Sequence, residues 1–237
     1  MIIPGDQSLA ALTPAGGFVS VAADVARFFA QLSPKAEHSV LSVASRREMT
    51  RRQWRNPHTS LKRWYGLGTM SGSSEGWDWF GHGGGLQGYI SQTCTVPEQE
   101  LTVCVLTNAI DGWAGFWLEG IIHILRTFQT RGAGAEKLRD WTGRWWTLWG
   151  AGALVPMGER VIVAWPRMGK PFQDTSEIEV TGEDVGKIVA AGGYESYGET
   201  VRLVRDADGT VTEVWLGGTQ LLPEASVAAE ATARYRG

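Results

Sequence analysis

The spacing of hydrophobic residues predicts three helices in the first part of the chain. The first should run from Val21 to about Leu32, with Ser20 as a favourable N-cap and Pro34 just beyond its end. A second, short helix is predicted over 42–51. The strongest periodicity lies further along, where apolar residues recur at the i, i+3, i+4, i+7 spacing of a helix side: Trp113, Phe116, Trp117, Ile121, Ile124, Leu125 and Phe128.

Between these helices the pattern changes to that of strands. The aromatic segments 64–68 and 77–80 are bounded by Ser and Gly turns. Residues 87–96 and 101–107 predict an antiparallel hairpin that turns at 97–100. Helices and an antiparallel sheet in one segment indicate the α+β class.

The segment after the long helix predicts a separate small β-domain. Small residues at 130–135 suggest a linker, and Asp208-Gly209 predicts a tight hairpin turn. We therefore expect a first domain over 1–130, a linker over 131–140 and a small all-β, barrel-like domain over 141–237. Its strands are predicted from short apolar runs at 143–149, 160–165, 177–180, 187–191, 200–204 and 211–216.

Composition and charge narrow the functional classes. The chain is 43% hydrophobic with a net charge of −3, and its basic residues occur singly or in short clusters such as Arg46-Arg47. Nucleic-acid binding is therefore not expected. No apolar stretch approaches the roughly 18 residues that suggest a membrane span. The start of the chain lacks a signal-peptide pattern, so a cytoplasmic location is expected, with export open if a segment precedes it.

Cysteine and histidine usage predicts neither a metal site nor a cofactor. Cys94 and Cys104 lie on the two arms of the predicted hairpin, so a disulfide is geometrically possible, although reduced thiols are favoured without an export signal. Two Cys and four scattered His do not form a metal-binding pattern. The 12 Trp residues favour core packing over a ligand-stacking wall.

The glycine-rich segment from Gly81 to Tyr89 is the candidate for chemistry. A phosphate-binding loop is disfavoured, because these glycines lead into a strand and not into a helix. Glycines allow a ligand to approach a strand closely, and backbone N–H groups there can form an oxyanion hole beside His82. The alternative is a β-bulge next to a histidine whose hydrogen bonds are satisfied, and residue types alone favour that alternative.

The order of motifs along residues 8–130 resembles the serine β-lactamase-like hydrolases. The resemblance rests on Pro14 to Ser20 with Asp24 and Phe28-Phe29, then Tyr65-Gly66-Leu67-Gly68, then Gly81 to Tyr89. Relatives in this family include class C β-lactamases, D-aminopeptidases, DD-carboxypeptidases and family-VIII esterases. The resemblance implies part of a β-lactamase/transpeptidase-like antiparallel sheet with packing helices, and the tail resembles the small β-barrel domain appended to some of these hydrolases.

The resemblance also implies roles for individual residues. His82, Gly83 and Gly84 match the family's third motif, on an edge strand that lines the cleft. His82 would then tune the charge of the cleft, bind a substrate carboxylate or assist proton transfer, while Gly83 and Gly84 contact substrate. The Gly85 N–H matches the second oxyanion donor, and Leu86 and Gln87 would border the acyl-group site.

The sequence departs from the family in its nucleophile. No Ser-x-x-Lys occurs in the chain, and the nearest approach is Thr59-Ser60-Leu61-Lys62. Tyr89-Ile90-Ser91 and Tyr194-Glu195-Ser196 superficially echo the family's second motif but follow the glycines. We expect the upstream helical subdomain and first strands to be missing. The chain alone should be close to inactive, because binding and an oxyanion hole without a nucleophile retain only about 10³–10⁴ of acceleration over water.

Two functions follow from the sequence. The first is the C-terminal part of a serine hydrolase that acts on an ester, amide or β-lactam, completed by an N-terminal partner segment that carries Ser-x-x-Lys. Its substrate would be a small molecule or peptide-like. The second is a non-catalytic module whose barrel binds a small ligand through a Trp-rich wall at Trp141, Trp145, Trp146 and Trp149.

Overall fold

A computed structural model describes residues 10–55, 57–58, 62–147, 149–192 and 196–235. The segments Thr59-Ser60-Leu61-Lys62 and Tyr194-Glu195-Ser196 lie partly outside the described residues. Packing divides the chain into two units, Met1–Ile122 and His123–Gly237. This division falls inside the long helix, and the predicted linker at 131–140 stays a prediction.

The first unit contains a five-stranded antiparallel sheet in which each strand pairs with the next along the chain. The predicted hairpin of 87–96 and 101–107 is confirmed, with the 3-10 helix Pro97–Gln99 at its turn. The strands are β1 (Trp64–Tyr65), β2 (Met70–Ser74), β3 (Trp77–Leu86), β4 (Tyr89–Val96) and β5 (Leu101–Thr107).

Two features of this sheet differ from the sequence expectation. β2 was not predicted, because its residues are small and mostly polar and show no apolar alternation. The glycines continue β3, which was expected to end at Phe80, and they pair with β4 from Phe80 to Leu86 without a shift in register. The expected β-bulge is therefore wrong, and the glycines belong to regular strand. The other half of that alternative, a histidine with satisfied hydrogen bonds, agrees with the contacts of His82.

The helices of the first unit follow the predicted periodicity. α1 spans Ala22–Gln31, α2 spans Val43–Thr50 and α3 spans Ala114–Arg131. Ser42 caps α2, since its Oγ accepts a hydrogen bond from the Ser45 N–H at 3.1 Å. The expected cap at Ser20 is wrong, because Val21 occupies the N-cap position and makes no side-chain cap bond. A 3-10 helix, Ala10–Ala15, precedes these elements.

The core of the first unit lies between the sheet and α3. Leu118 and Ile122 of α3 pack with Trp77, Cys94 and Val96. Side chains alternate across a strand, so the side chains next to Cys94 point to the opposite face of the sheet. That opposite face carries Phe80, His82, Thr93 and Thr95, and it is the face relevant to the candidate site.

The second unit is an eight-stranded antiparallel meander that is nearly closed into a barrel. Closure comes from Trp146 and Leu222, whose backbone groups exchange two hydrogen bonds of 2.7 and 2.9 Å. Each of the six predicted runs forms a strand, whereas β7 and β13 were not predicted. The strands are β6 (Gly143–Thr147), β7 (Gly150–Met157), β8 (Arg160–Ala164), β9 (Glu177–Val180), β10 (Val185–Ala190), β11 (Thr200–Arg205), β12 (Val211–Leu216) and β13 (Thr219–Leu221).

Side chains fill the core of this second unit. Trp141 is fully buried and donates from Nε1 to the Glu183 carbonyl at 3.0 Å, and Trp145 is also buried. Both pack with aliphatic side chains contributed by strands around the sheet. The 3-10 helix Glu136–Leu138 precedes β6, and helix α4 (Glu224–Tyr235), which the sequence reading missed, follows β13.

Candidate functional site

The candidate site is the second half of β3, which extends beyond its neighbour β2. The pairing of β2 with β3 ends at Met70 and Gly81. From His82 to Leu86, β3 pairs with β4 on one side. On its other side no strand pairs with this stretch among the described residues, so the candidate strand presents an open edge.

Hairpin geometry fixes which backbone groups face that edge. Leu86 and Tyr89 pair across a turn made only of Gln87 and Gly88, and such a closing pair exchanges hydrogen bonds. Bonded and non-bonded pairs alternate in antiparallel strands. Gly84 therefore bonds to β4, whereas Gly83 and Gly85 direct their N–H and C=O groups to the open edge.

Only at Gly81, among the glycines of β3, does the backbone of the neighbouring strand come too close for a side chain. A Cβ at Gly81 would lie 2.0 Å from the backbone oxygen of Thr93, a contact that the two strands cannot accommodate without moving. For a Cβ at Gly83 or Gly84 the nearest atom would be a side-chain oxygen, of Gln92 at 2.6 Å or of Ser91 at 2.7 Å. At Gly85 the nearest of these atoms is 3.5 Å away, on the Ile90 side chain.

His82 has a hydrogen-bond partner at each ring nitrogen. Nδ1 lies 2.5 Å from the carbonyl oxygen of Gly83, and Nε2 lies 2.9 Å from the Tyr65 hydroxyl. The rings of Tyr65 and His82 meet edge to face, with centroids 5.7 Å apart. The structure thus joins His82 and Gly83, which the sequence singled out, to Tyr65, for which the sequence gave no role.

The Tyr65-Gly66-Leu67-Gly68 motif explains how Tyr65 is placed. Tyr65 pairs with Met70 on one side and exchanges backbone hydrogen bonds with Trp54 on the other. A Cβ at Gly66 would lie 2.4 Å from the Met49 carbonyl oxygen, and Gly68 has a φ of +75°. Both glycines are required for the turn that follows Tyr65. The motif was visible in the sequence, but only as a mark of resemblance.

The remaining predicted site residues lie at the end of the hairpin. Gly84 and Leu86 alternate with Gly83 and Gly85, so they share the face of the sheet that carries His82. Leu86 is 42% exposed, and Gln87 lies in the exposed turn. Their assignment to an acyl-group site stays a prediction.

A cavity of about 200 Å³ lies on the other face of the sheet. Its lining includes Gln92, Cys94 and residues of α3, which places it away from His82. Arg63 there lies 5.9 Å from the centre of the Trp79 ring and 3.7 Å from the Glu119 carboxylate. The cavity is smaller than the roughly 300 Å³ at which small-molecule sites begin, and it is not part of the candidate site.

The two cysteines are free and point to opposite faces of the sheet. Cys104 pairs with Thr93, the neighbour of Cys94, so the two thiols cannot meet and the disulfide left open by the sequence does not form. Burial raises the pKa of Cys94 to about 12, which keeps that thiol protonated and unreactive near neutral pH.

Within the described residues, no group of three or more His, Cys, Asp or Glu side chains is placed to hold a metal ion. None of the helices in the same part of the chain is both long and apolar enough to cross a membrane.

Comparison with known proteins gives a family match over the first part of the chain. Residues 3–113 match the family model described as Beta-lactamase. A search of curated proteins gave no match.

Solved structures give distant matches. One is an octameric penicillin-binding protein homologue from Pyrococcus abyssi, at 17% identity and a TM-score of 0.37 over 81% of this chain and 44% of that chain. Another is SurE with D-Leu, at 16% identity and a TM-score of 0.42 over 90% of this chain and 52% of that chain. The chain therefore spans about half the length of the structures it matches.

Proposed function

Because residues 3–113 match the family model described as Beta-lactamase, we propose that this chain supplies one wall of a serine-hydrolase active site. In this proposal the open edge of β3 contributes the Gly85 N–H as an oxyanion donor and His82 as a polar group. A second polypeptide segment contributes the nucleophile. The reaction is acyl transfer from an ester, amide or β-lactam to serine, followed by hydrolysis.

The orientation of the Gly85 N–H is the observation that carries the proposal. Gly85 is exposed, and the alternation of bonded and non-bonded pairs along the hairpin turns its N–H away from β4. A fixed backbone donor that faces open space can stabilise the oxyanion that develops during acyl transfer. Such a donor contributes about 3–4 kcal/mol to the transition state.

The need for a second segment follows from the missing nucleophile. Ser-x-x-Lys does not occur in the 237 residues. Cys94 is buried with a raised pKa, and Ser71 is buried beneath the sheet surface, so neither can attack a substrate. The proposal therefore takes the nucleophilic serine from another segment.

The alternative function, ligand binding through a Trp-rich wall of the barrel, is disfavoured because two of the four Trp residues proposed for it are buried. Trp141 and Trp145 are part of the packed core of the second unit and present no ring to a ligand. Trp149 is 90% exposed in the turn between β6 and β7, and a single exposed ring does not form a binding wall.

A pair of substitutions at Gly85 tests the oxyanion role in a reconstituted enzyme. The chain is combined with the proposed N-terminal partner segment that carries Ser-x-x-Lys, and hydrolysis of a chromogenic ester is measured. Gly85→Pro removes the N–H without breaking a bond to β4, whereas Gly85→Ala keeps the N–H. We expect Gly85→Pro to lower kcat by about 10²–10³ and Gly85→Ala to retain activity.

Binding of the two segments by the variants serves as the control. If Gly85→Pro associates normally and turns over as fast as Gly85→Ala, the oxyanion role is wrong. If the combined segments hydrolyse no acyl substrate, the hydrolase proposal itself is wrong.

A further inference from the structure

We propose that Tyr65 is the residue through which His82 acts. Its hydroxyl donates to Nε2, holds the neutral ring in the Nδ1–H form and carries protons between the cleft and the imidazole. The hydrogen-bond arrangement is a property of this chain by itself. The proton transfer rests on the proposed hydrolase function.

The partners of His82 determine where its proton lies. A carbonyl oxygen can only accept a hydrogen bond, so the contact between Nδ1 and the Gly83 oxygen requires a proton on Nδ1. In the neutral ring Nε2 then carries no proton and can only accept. The Tyr65 hydroxyl, 2.9 Å from Nε2, must be the donor.

This arrangement leaves His82 with no ring nitrogen free for a substrate. The outermost polar atom of the series Gly83, His82 and Tyr65 is the phenol oxygen. Tyr65 is 41% exposed, and its oxygen keeps lone-pair capacity after donating its proton. A substrate or nucleophile hydroxyl that approaches this face would therefore donate to Tyr65 and not to His82.

The proton transfer balances within these groups. A hydroxyl R–OH donates its proton to the phenol oxygen while the phenol proton moves to Nε2. The products are R–O⁻, an intact Tyr65 hydroxyl and a His82 imidazolium protonated on both nitrogens. The imidazolium keeps its bond to the Gly83 oxygen, which becomes a charge-assisted bond. The reverse transfer returns the proton to a leaving group.

The backbone holds Tyr65 in the position that this role requires. Hydrogen bonds on both sides of β1 and the glycine turn after it fix the Cα of Tyr65. The edge-to-face contact between the Tyr65 and His82 rings fixes the side chain. Tyr65→Phe would keep this packing and remove only the O–H group.

Nitrogen NMR of the chain alone tests the hydrogen-bond arrangement without any enzyme activity. The chain is prepared with ¹⁵N-labelled His, and the His82 signals are assigned with His82→Gln. At a pH where His82 is neutral, we expect a protonated Nδ1 and an unprotonated, hydrogen-bonded Nε2. Tyr65→Phe should shift the Nε2 signal and redistribute the proton between the two nitrogens. Tyr89→Phe, which changes the other tyrosine of this sheet, should leave both signals in place.

Substitution with 3-fluorotyrosine gives a second measurement on the unaltered fold. A more acidic phenol is a stronger donor, so the Nε2 signal of His82 should move further in the direction of a stronger hydrogen bond. A wild-type His82 protonated on Nε2 would overturn the proposal. So would His82 signals that respond neither to Tyr65→Phe nor to fluorotyrosine. These results would leave the Gly85 test of the hydrolase function untouched.

Discussion

Gly81 and Gly85 lie on the same strand, but the structure predicts different outcomes when each is replaced by Ala. The added methyl group of Gly81→Ala would meet the Thr93 backbone oxygen, so β3 and β4 must separate locally. We expect a loss of about 1–3 kcal/mol in the free energy of unfolding. Gly85→Ala should change it little, since its Cβ meets no atom closer than 3.5 Å.

Urea unfolding, followed by NMR at the amides of β3 and β4, measures this difference. Both variants add one methyl group to the same strand, so Gly85→Ala is the matched control for composition and strand propensity. Equal losses in the two variants would contradict the close approach at Gly81.

The proton transfer through Tyr65 predicts that Tyr65 and His82 act as one unit. In the reconstituted enzyme, Tyr65→Phe and His82→Gln should each lower kcat by tenfold or more, on the scale of general acid–base assistance. The double variant should be no slower than the slower single variant, and KM should change little, because removing either residue breaks the same proton path. Multiplied losses would show instead that the two residues act independently.

At the scale of elements, the neighbouring strands β4 and β5 give their two cysteines different reactivity. Cys94 of β4 packs under α3, whereas Cys104 lies on β5. Burial raises the pKa of Cys94 to about 12, so its thiol stays protonated at pH 8. Cys104 is only partly buried and faces the other side of the sheet. Iodoacetamide at pH 8 should therefore modify Cys104 in the folded chain well before Cys94.

Peptide mass spectrometry of the alkylated chain measures this order. In denaturant both thiols should react at similar rates, which is the control for intrinsic reactivity. Folding raises the pKa of Cys94, so the folded state favours the protonated thiol. The contribution of this thiol to the free energy of unfolding is complete below the ordinary thiol pKa and is lost as the pH rises towards 12. Equal modification of both cysteines in the folded chain would contradict the packing of Cys94 against α3.

Closure of the barrel depends on one backbone bridge, between Trp146 and Leu222. Leu222→Pro removes the N–H that bonds to the Trp146 oxygen at 2.9 Å. This change should cost about 1–3 kcal/mol, because it leaves an acceptor unpaired. Leu222→Val keeps the N–H and is the control. Hydrogen exchange should accelerate in β6 and β13 in the Pro variant alone; unchanged exchange would mean that the bridge does not close the sheet.

The elements show which parts of the fold a sequence pattern can predict. α3 and the β4–β5 hairpin were predicted because apolar periodicity is a local signal. β2 and the glycine half of β3 were not, because strand pairing holds small residues that lack strand propensity of their own. α4 did carry a local signal, an Ala-rich run after Pro223, but the expectation of an all-β domain concealed it.

The sequence predicted which segment forms the candidate site, but not the hydrogen bonds that its residues make. The glycine motif identified His82 and Gly85, and the pairing register supports the expected direction of the Gly85 N–H. The contact between Tyr65 and His82 joins residues 17 positions apart. Hydrophobic periodicity does not predict such a contact. The contact forms because the pairing of β2 with β3 ends at Met70 and leaves His82 of β3 open to Tyr65.

At the scale of the whole molecule, several large apolar side chains of the first unit are exposed and do not take part in its core. Trp113, just before α3, and Trp117 of α3 are 62% and 54% exposed, and Phe18 is 88% exposed. Exposed apolar side chains of this size are typical of surfaces that another polypeptide covers. This supports the proposal that a separate segment completes the site.

Covalent labelling with a fluorophosphonate tests whether the nucleophilic serine lies on a segment other than this chain. The probe bonds to an activated serine with loss of fluoride, and intact-mass spectrometry shows which polypeptide carries it. We expect no adduct on these 237 residues, alone or in the presence of the segment that carries Ser-x-x-Lys. We expect one adduct on that segment, formed efficiently only when this chain is bound. A stoichiometric adduct on this chain by itself would contradict the account.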